Sequence, residues 1–117
     1  MEELNISVFG GTGFIGSEFC KQNPKAIVVD RESNEPLSSE VLYFISTTDN
    51  YNVYDDPHLD INTNLIKLVS VLNECKRKGV KIFNFVSSWF VYGANNEIPV
   101  KESDPCEPMG FYSITKY

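Results

Sequence analysis

The feature that most narrows what this chain can fold into is a run of seven residues near its start. Gly10 to Gly16 reads GGTGFIG, with glycines at 10, 13 and 16. The run follows Leu4 to Phe9, a short β-rich stretch. After it, Phe14, Ile15, Phe19 and Cys20 share one predicted helical face until Asn23-Pro24 stops the helix. A strand that passes directly into a helix needs residues without a Cβ at the turn. Gly10 permits the turn, Gly13 lets a ligand approach the backbone, and Gly16 allows helix and strand to pack closely. The free N–H groups and the dipole at the helix start attract an anion, and dinucleotide phosphates bind in this context.

The remainder of the chain supplies the layers such a turn requires. Ala26 to Asp30 (AIVVD) is a continuous apolar run, expected as a strand buried on both faces, and Val41 to Ile45 repeats the pattern. Ser46 to Asp56 is a polar loop of the kind that carries function. Asp56-Pro57 predicts a helix start with an N-cap acid, and Ile61, Leu65, Leu68, Val69, Leu72 and Cys75 recur at helical spacing. Lys76, Arg77 and Lys78 complement the dipole at its end, and Gly79 closes it. Val80 to Val86 predicts a fourth strand, with Ser87 to Gly93 at its edge. A proline-bearing loop, Ala94 to Met109, leads to a last helical turn near Gly110. The order β-α-β-β-α-β implies an α/β domain with a mainly parallel sheet and helices on both faces, and right-handed crossovers favour the spatial order 2-1-3-4.

Composition bounds the partners. A chain of 117 residues, 42% hydrophobic, has material for one domain with a real core. Its net charge of -6, with basic residues scattered apart from Lys76 to Lys78, argues against nucleic acid or an anionic membrane as partner. Cys20, Cys75 and Cys106 form no CxxC pair and His58 is isolated from them, so neither a disulfide framework nor a metal site is expected. With no long apolar stretch, and no signal-peptide pattern in Met1 to Asn5, the expectation is a cytoplasmic protein.

Three further positions carry candidate chemistry. Asp30 closes the second strand twenty residues after Gly10, where a carboxylate accepts the hydroxyls of an adenosine ribose and repels the extra phosphate of NADP; Arg31 beside it does the opposite. Tyr112 and Lys116 lie four apart, on one face of a helix. A lysine ammonium one turn away favours the ionised phenol, which makes it usable as acid and base near neutral pH. Ser87 and Ser88 end the fourth strand at the edge that faces a ligand crevice, where Ser88 is placed to donate to a substrate oxygen. The bland alternatives are a tight turn without ligand, a surface helix turn and a serine pair capping a strand.

Taken in order, GGTGFIG, Asp30, SSWFVYG and YSITK resemble the extended short-chain dehydrogenase/reductase family, which contains the NAD-dependent epimerases and dehydratases of nucleotide sugars. DINTNLIKLVSVLNECKRKGVKIFNFVSS resembles that family's long helix and following strand, and IPVKESDPCEPMGFYSITKY its approach to the catalytic helix. The resemblance implies a Rossmann-like domain over residues 1–117 that binds NAD, with NADP possible. It implies Tyr112 as general acid/base on a sugar hydroxyl, Lys116 on the nicotinamide ribose, and Ser88 on the reacting oxygen. It places Gly10, Gly13 and Gly16, with the amides of Phe14 and Ile15, around the pyrophosphate, and Asn64 beside the active site. A nucleotide-sugar substrate for the full-length parent and a homo-oligomer are the implied partners.

Four departures from the family pattern stand out. Trp89 and Phe90 occupy the positions of an Asp-Glu pair used by sugar dehydratases, which disfavours dehydration. Only ten residues separate Asp30 from Glu40, where the family fits another helix and strand, so adenine binding is expected to be rearranged. Ser46-Thr47 replaces a small-residue pair and Lys67 a glycine, changes expected to narrow the cofactor crevice. The sequence stops one residue past Lys116, before the family's substrate domain, so this chain alone is expected to be inactive. The leading expectation is the cofactor-binding part of an epimerase or ketoreductase. The alternatives are a non-catalytic nucleotide-binding or dimerising module derived from that family, and a remnant without ligand.

Overall fold

Four short strands, β1 (Ile6–Phe9), β2 (Ala26–Val28), β3 (Glu40–Tyr43) and β4 (Ile82–Phe85), form one sheet in the order β2-β1-β3-β4. Every pairing is parallel, with Ile6 opposite both Ala26 and Glu40, and Glu40 opposite Ile82. The computed structural model describes residues 5–48, 56–94 and 96–117. The expectations for Met1 to Leu4, for most of the loop after Ser46 and for Asn95 lie outside the described residues.

The sheet order fixes where the helices go. From β1 the chain steps to β2 through α1 (Phe14–Gln22), and from β3 it steps the opposite way to β4. Right-handed crossovers in opposite directions put the two connections on opposite faces. The second connection is one unbroken helical run. It comprises α2 (Pro57–Asp60), a π-helical segment (Ile61–Ile66) and α3 (Lys67–Lys78), and the junction residues keep right-handed helical dihedrals. Pro57 sits at the helix start as expected, but the Asp56 carboxylate makes no cap hydrogen bond. Gly79, at φ 71°, ends the run, and Val80 N donates to Cys75 O at 2.9 Å, closing the last turn.

The core lies between the sheet and α3. Phe9, Val29, Val41 and Tyr43 from the strands meet Val71 and Cys75, with Leu68, Val80, Ile45 and Phe83 packed around them. On the opposite face Phe19 of α1 lies 5.9 Å from the Phe44 ring. The buried Tyr43 ring is flanked by Phe9, Phe83 and Phe85, and its hydroxyl has no hydrogen-bond partner among the described residues. Burial pushes its pKa up to about 12.

Three expectations are corrected here. β2 is an edge strand, so it is not buried on both faces: Val28 is 41% exposed, while Val29 is buried. Phe14 and Ile15 do not face the core; they are 95% and 62% exposed, because Gly16 is the residue that α1 lays against the turn. The inward stripe of the long helix is Asp60, Asn64, Leu68, Val71 and Cys75, whereas Ile61, Leu65, Val69 and Leu72 are exposed. The π segment is wider than 3.6 residues per turn, which shifts the phase of everything on either side of it. Among the described residues no helix is long and apolar enough to cross a membrane, and no cluster of metal-ligating side chains occurs.

Candidate functional site

The turn between β1 and α1 is shaped by backbone contacts. Gly10 adopts φ 81°, and Gly13 N donates to Gly10 O at 3.1 Å. A Cβ on Gly16 would stand 2.1 Å from Gly10 O, so only glycine lets the helix approach this closely. A Cβ on Gly13 would meet one protein atom, Gly10 O at 3.3 Å, and otherwise project into open space. No side chain caps α1 and no acid occupies its first turn. The amides of Phe14, Ile15 and Gly16 therefore have no intrahelical acceptor and carry the positive end of the helix dipole.

This turn forms one wall of a cleft of about 960 Å³. The cleft opens at the carboxyl ends of the strands, between β1 and β3, where the strand order reverses and open α/β sheets bind their ligands. The chain segments after β3 and β4, through Ser46, Thr47 and Ser87, form its floor, and Asn62, Thr63 and Lys67 approach from the long helix. Tyr112 and Lys116, both on α4 (Phe111–Lys116), close the far side. The structure thus brings the glycine turn and the Tyr112/Lys116 pair to one cavity.

The α4 residues are held by side chains from distant parts of the chain. Ser46 Oγ donates to Tyr112 Oη at 3.4 Å, and the Phe90 ring meets the Tyr112 ring edge-on at 5.9 Å. Lys116 is only 3% exposed, with Nζ 4.5 Å from the centroid of the Phe85 ring. Burial lowers its pKa from the ordinary lysine value. Ser87 Oγ donates to Lys116 O at 2.9 Å.

Beneath them lies a buried polar network. Asn64 Oδ1 accepts from Thr47 N at 2.9 Å, and its amide donates to Thr47 Oγ1 at 3.1 Å and Thr115 Oγ1 at 2.9 Å. Thr47 Oγ1 in turn donates to Asp60 Oδ1 at 2.5 Å. Asp60 and Asn64, four apart, span the entry to the π segment and tie it both to the end of β3 and to α4. Sequence reasoning singled out Asn64 but missed Asp60, Thr47 as an anchor, and Thr115. The available signal was the Asp60/Asn64 spacing in line with the apolar stripe of Leu68, Val71 and Cys75.

Several candidates sit differently from expectation. Asn64 is not at the cleft wall; its amide is committed to the network. Ser88 caps the 3₁₀ turn Trp89–Tyr92, its Oγ accepting from Phe90 N at 3.3 Å, and it is Ser87 that lines the cleft. Trp89, 71% exposed and stacked on Phe90 at 4.3 Å, is not a cleft residue either. The Asp30 carboxylate accepts from Glu32 N at 2.9 Å and lies outside the lining, where Arg31 and Glu32 stand instead. Ser46 and Thr47 supply the hydrogen bonds to Tyr112 and Asn64.

Residues 38–117 match the model of the NAD dependent epimerase/dehydratase family. The chain belongs to that family. Across all of its length it is 26% identical, over 148 aligned positions, to a UDP-glucose 4-epimerase of Rhizobium meliloti (strain 1021), of which it covers 45%. Among solved structures of similar fold, a UDP-glucose 4-epimerase from Stenotrophomonas maltophila with bound NAD and formylated UDP-arabinopyranose superposes with a TM-score of 0.84 at 21% identity. The match covers 97% of this chain and 46% of that one. RMD from Pseudomonas aeruginosa, complexed with NADPH, gives 0.79 at 20% identity, covering 96% and 44%. The chain therefore spans about half the length of the relatives it matches. The resemblance carried by GGTGFIG, SSWFVYG and YSITK and the parallel Rossmann-like sheet are both borne out.

Proposed function

We propose that this chain is the cofactor-binding portion of a nucleotide-sugar epimerase or ketoreductase that uses NAD or NADP. The observation that carries this reading is the shared cleft. An uncapped helix start built on glycines faces the same cavity as Tyr112 and Lys116, at the point where the strand order reverses. The relatives named above, two of them described as UDP-glucose 4-epimerases and two bound to NAD or NADPH, support it.

In this reading Gly10, Gly13 and Gly16 clear the space for a pyrophosphate, and the amides of Phe14 and Ile15 donate to it. A bound nicotinamide supplies the hydride acceptor. Tyr112 Oη takes the proton of the sugar hydroxyl as its carbon is oxidised, and returns it in the reverse direction. Ser46 Oγ holds that phenol in place, and Lys116 holds the ribose next to the nicotinamide. Asn64 acts through Thr115, fixing the helix that carries Tyr112. Asp30 shapes the turn at the adenosine end. The exposed apolar residues Leu65, Val69 and Leu72 of the long helix support self-association of the protein.

The test is a calorimetric titration with NADH and with NADPH. At least one of them is expected to bind saturably to the native protein, and Gly13→Val to abolish binding while leaving the circular dichroism spectrum intact, since a branched side chain there fills the space before the helix start. Unchanged affinity in Gly13→Val would make the turn merely structural.

A further inference from the structure

Three serines, Ser46 after β3 and Ser87 and Ser88 after β4, stand at the strand ends that face the cleft, and the structure gives each a different use. Ser87 Oγ donates to Lys116 O at 2.9 Å, so its one proton is committed to the α4 backbone. Ser88 Oγ accepts from Phe90 N at 3.3 Å as the cap of the turn Trp89–Tyr92, and Ser88 is not part of the cleft lining. Ser46 does line the cleft, together with Tyr112, and its Oγ lies 3.4 Å from Tyr112 Oη.

That separation is long for a bond between two hydroxyls, whose usual length is about 2.7 to 2.8 Å, and it suits two groups that share a third oxygen. A ligand oxygen about 2.8 Å from each completes a triangle that both hydroxyls reach from the cleft wall. Ser46 Oγ also donates to Thr47 O at 3.1 Å. A hydroxyl carries one proton, so the Ser46 proton is shared between a carbonyl and a phenol, neither contact is short, and it is free to turn to a stronger acceptor. The backbone beneath it does not share this freedom. Thr47 N donates to Asn64 Oδ1 at 2.9 Å and Thr47 Oγ1 donates to Asp60, and these buried bonds hold the residue next to Ser46 on two sides. A donor aimed at developing charge needs such a fixed mount.

We propose that Ser46, and not Ser88, is the second hydroxyl on the reacting oxygen of the substrate, a catalytic residue supplied from the end of β3 where the family pattern has a small side chain. The inference rests on the reading that this cleft oxidises a sugar hydroxyl with a nicotinamide dinucleotide. In that step the substrate O–H bond breaks, its proton passes to Tyr112 Oη, and its electron pair forms the C=O bond as the carbon gives up a hydride to the dinucleotide. Ser46 O–H donates to that oxygen throughout and transfers nothing, stabilising the negative charge that gathers there. Ser88 keeps its structural use as the cap that sets Phe90, and with it the ring that meets Tyr112 edge-on.

The test compares Ser46→Ala, Ser46→Thr and Ser88→Ala. With tyrosine Cζ labelled by carbon-13, Ser46→Ala is expected to move the Tyr112 resonance at neutral pH, and Ser46→Thr, which keeps the hydroxyl, to restore it. In the full-length enzyme, with UDP-glucose as the nucleotide-sugar probe, Ser46→Ala is expected to lower kcat about 10²-fold with KM within about threefold, the scale of one donor at developing charge. Ser46→Thr should recover most of that loss, and Ser88→Ala should keep kcat within about threefold. A loss in Ser88→Ala equal to or larger than that in Ser46→Ala would overturn the assignment while leaving the dinucleotide reading intact. A Tyr112 resonance unmoved in Ser46→Ala would also overturn it. Failure of the folded native protein to bind either NADH or NADPH would defeat the proposed function and this role together.

Discussion

The two walls of the cleft are made in different ways. At the β1–α1 turn the chain builds its surface from backbone: Gly10 at a positive φ, Gly16 pressed on Gly10 O, and a helix start with no side-chain cap. At α4 the chain builds with side chains, and the contacts that fix it to the rest of the fold come from far away in sequence. Ser46 reaches Tyr112, Ser87 reaches Lys116, and Asn64 joins Thr47 to Thr115. The first wall has no room for a Cβ at Gly16 and needs few partners; the second wall depends on partners that long-range folding must deliver. A six-residue helix has too few turns to be stable alone, so α4 owes its position to that polar network.

Substitutions can break this contrast at either wall. The largest effect is expected from Tyr112→Phe, which removes the proton-transferring group and, in the full-length enzyme that the proposal implies, should lower turnover about 10³-fold while leaving dinucleotide affinity within about twofold. Steady-state kinetics beside a binding titration checks both halves, and equal turnover would remove Tyr112 from the chemistry.

Gly16→Ala comes next. Its Cβ would sit 2.1 Å from a backbone oxygen with no flexible side chain to yield, so about 3 kcal/mol of stability and most dinucleotide affinity should be lost together. Denaturant unfolding with a parallel titration reads both. Asn64→Ala should separate them. It strands Thr47 N–H in the interior and frees Thr115, costing about 2 kcal/mol of stability and, in the full-length enzyme, reducing turnover more than affinity. Parallel losses of turnover and affinity in Asn64→Ala would erase the distinction between the walls.

The smallest effect concerns the sheet beneath both. Tyr43→Phe deletes a buried hydroxyl that has no partner among the described residues and should stabilise the fold by about 1 kcal/mol. It should also alter the alkaline limb of stability. The folded-state pKa of about 12 lies above the ordinary tyrosine value, so the unfolded chain ionises first. Stability from this group is full below pH 10 and is lost as pH rises through about 12. Urea midpoints measured from pH 8 to 12 should fall less steeply in Tyr43→Phe than in the native protein.

The same contrast explains what the sequence made legible. The glycine turn is local: strand, glycine-rich run and helix are contiguous, and Gly10 and Gly16 each have a steric reason to be there. Strand order followed from apolar runs and crossover handedness, both general constraints on a parallel sheet. The phase of the long helix was not legible, because a π segment at Ile61–Ile66 departs from the 3.6-residue period on which any pattern argument rests, and because apolar residues also occupy its exposed side. The order 2-1-3-4 already put β2 at the edge, but the exposure of Val28 hid in a run that looks like a strand buried on both faces. Ser88 and Asp30 were in the right segments, but the hydrogen bonds that turn their side chains, to Phe90 N and Glu32 N, depend on local backbone geometry that spacing does not encode. Asp60, Thr47 and Thr115 are common polar residues whose meaning arises only from their convergence.

The central claim is that one ligand spans both walls. The most direct test is a nuclear magnetic resonance titration of the uniformly labelled protein with whichever of NADH and NADPH binds it more tightly, following backbone amides at Gly13, Phe14, Ile15 and Gly16 together with Tyr112 and Lys116. The account predicts that both groups shift along one binding curve with a single Kd. Shifts confined to one group, or two curves with different Kd values, would contradict it.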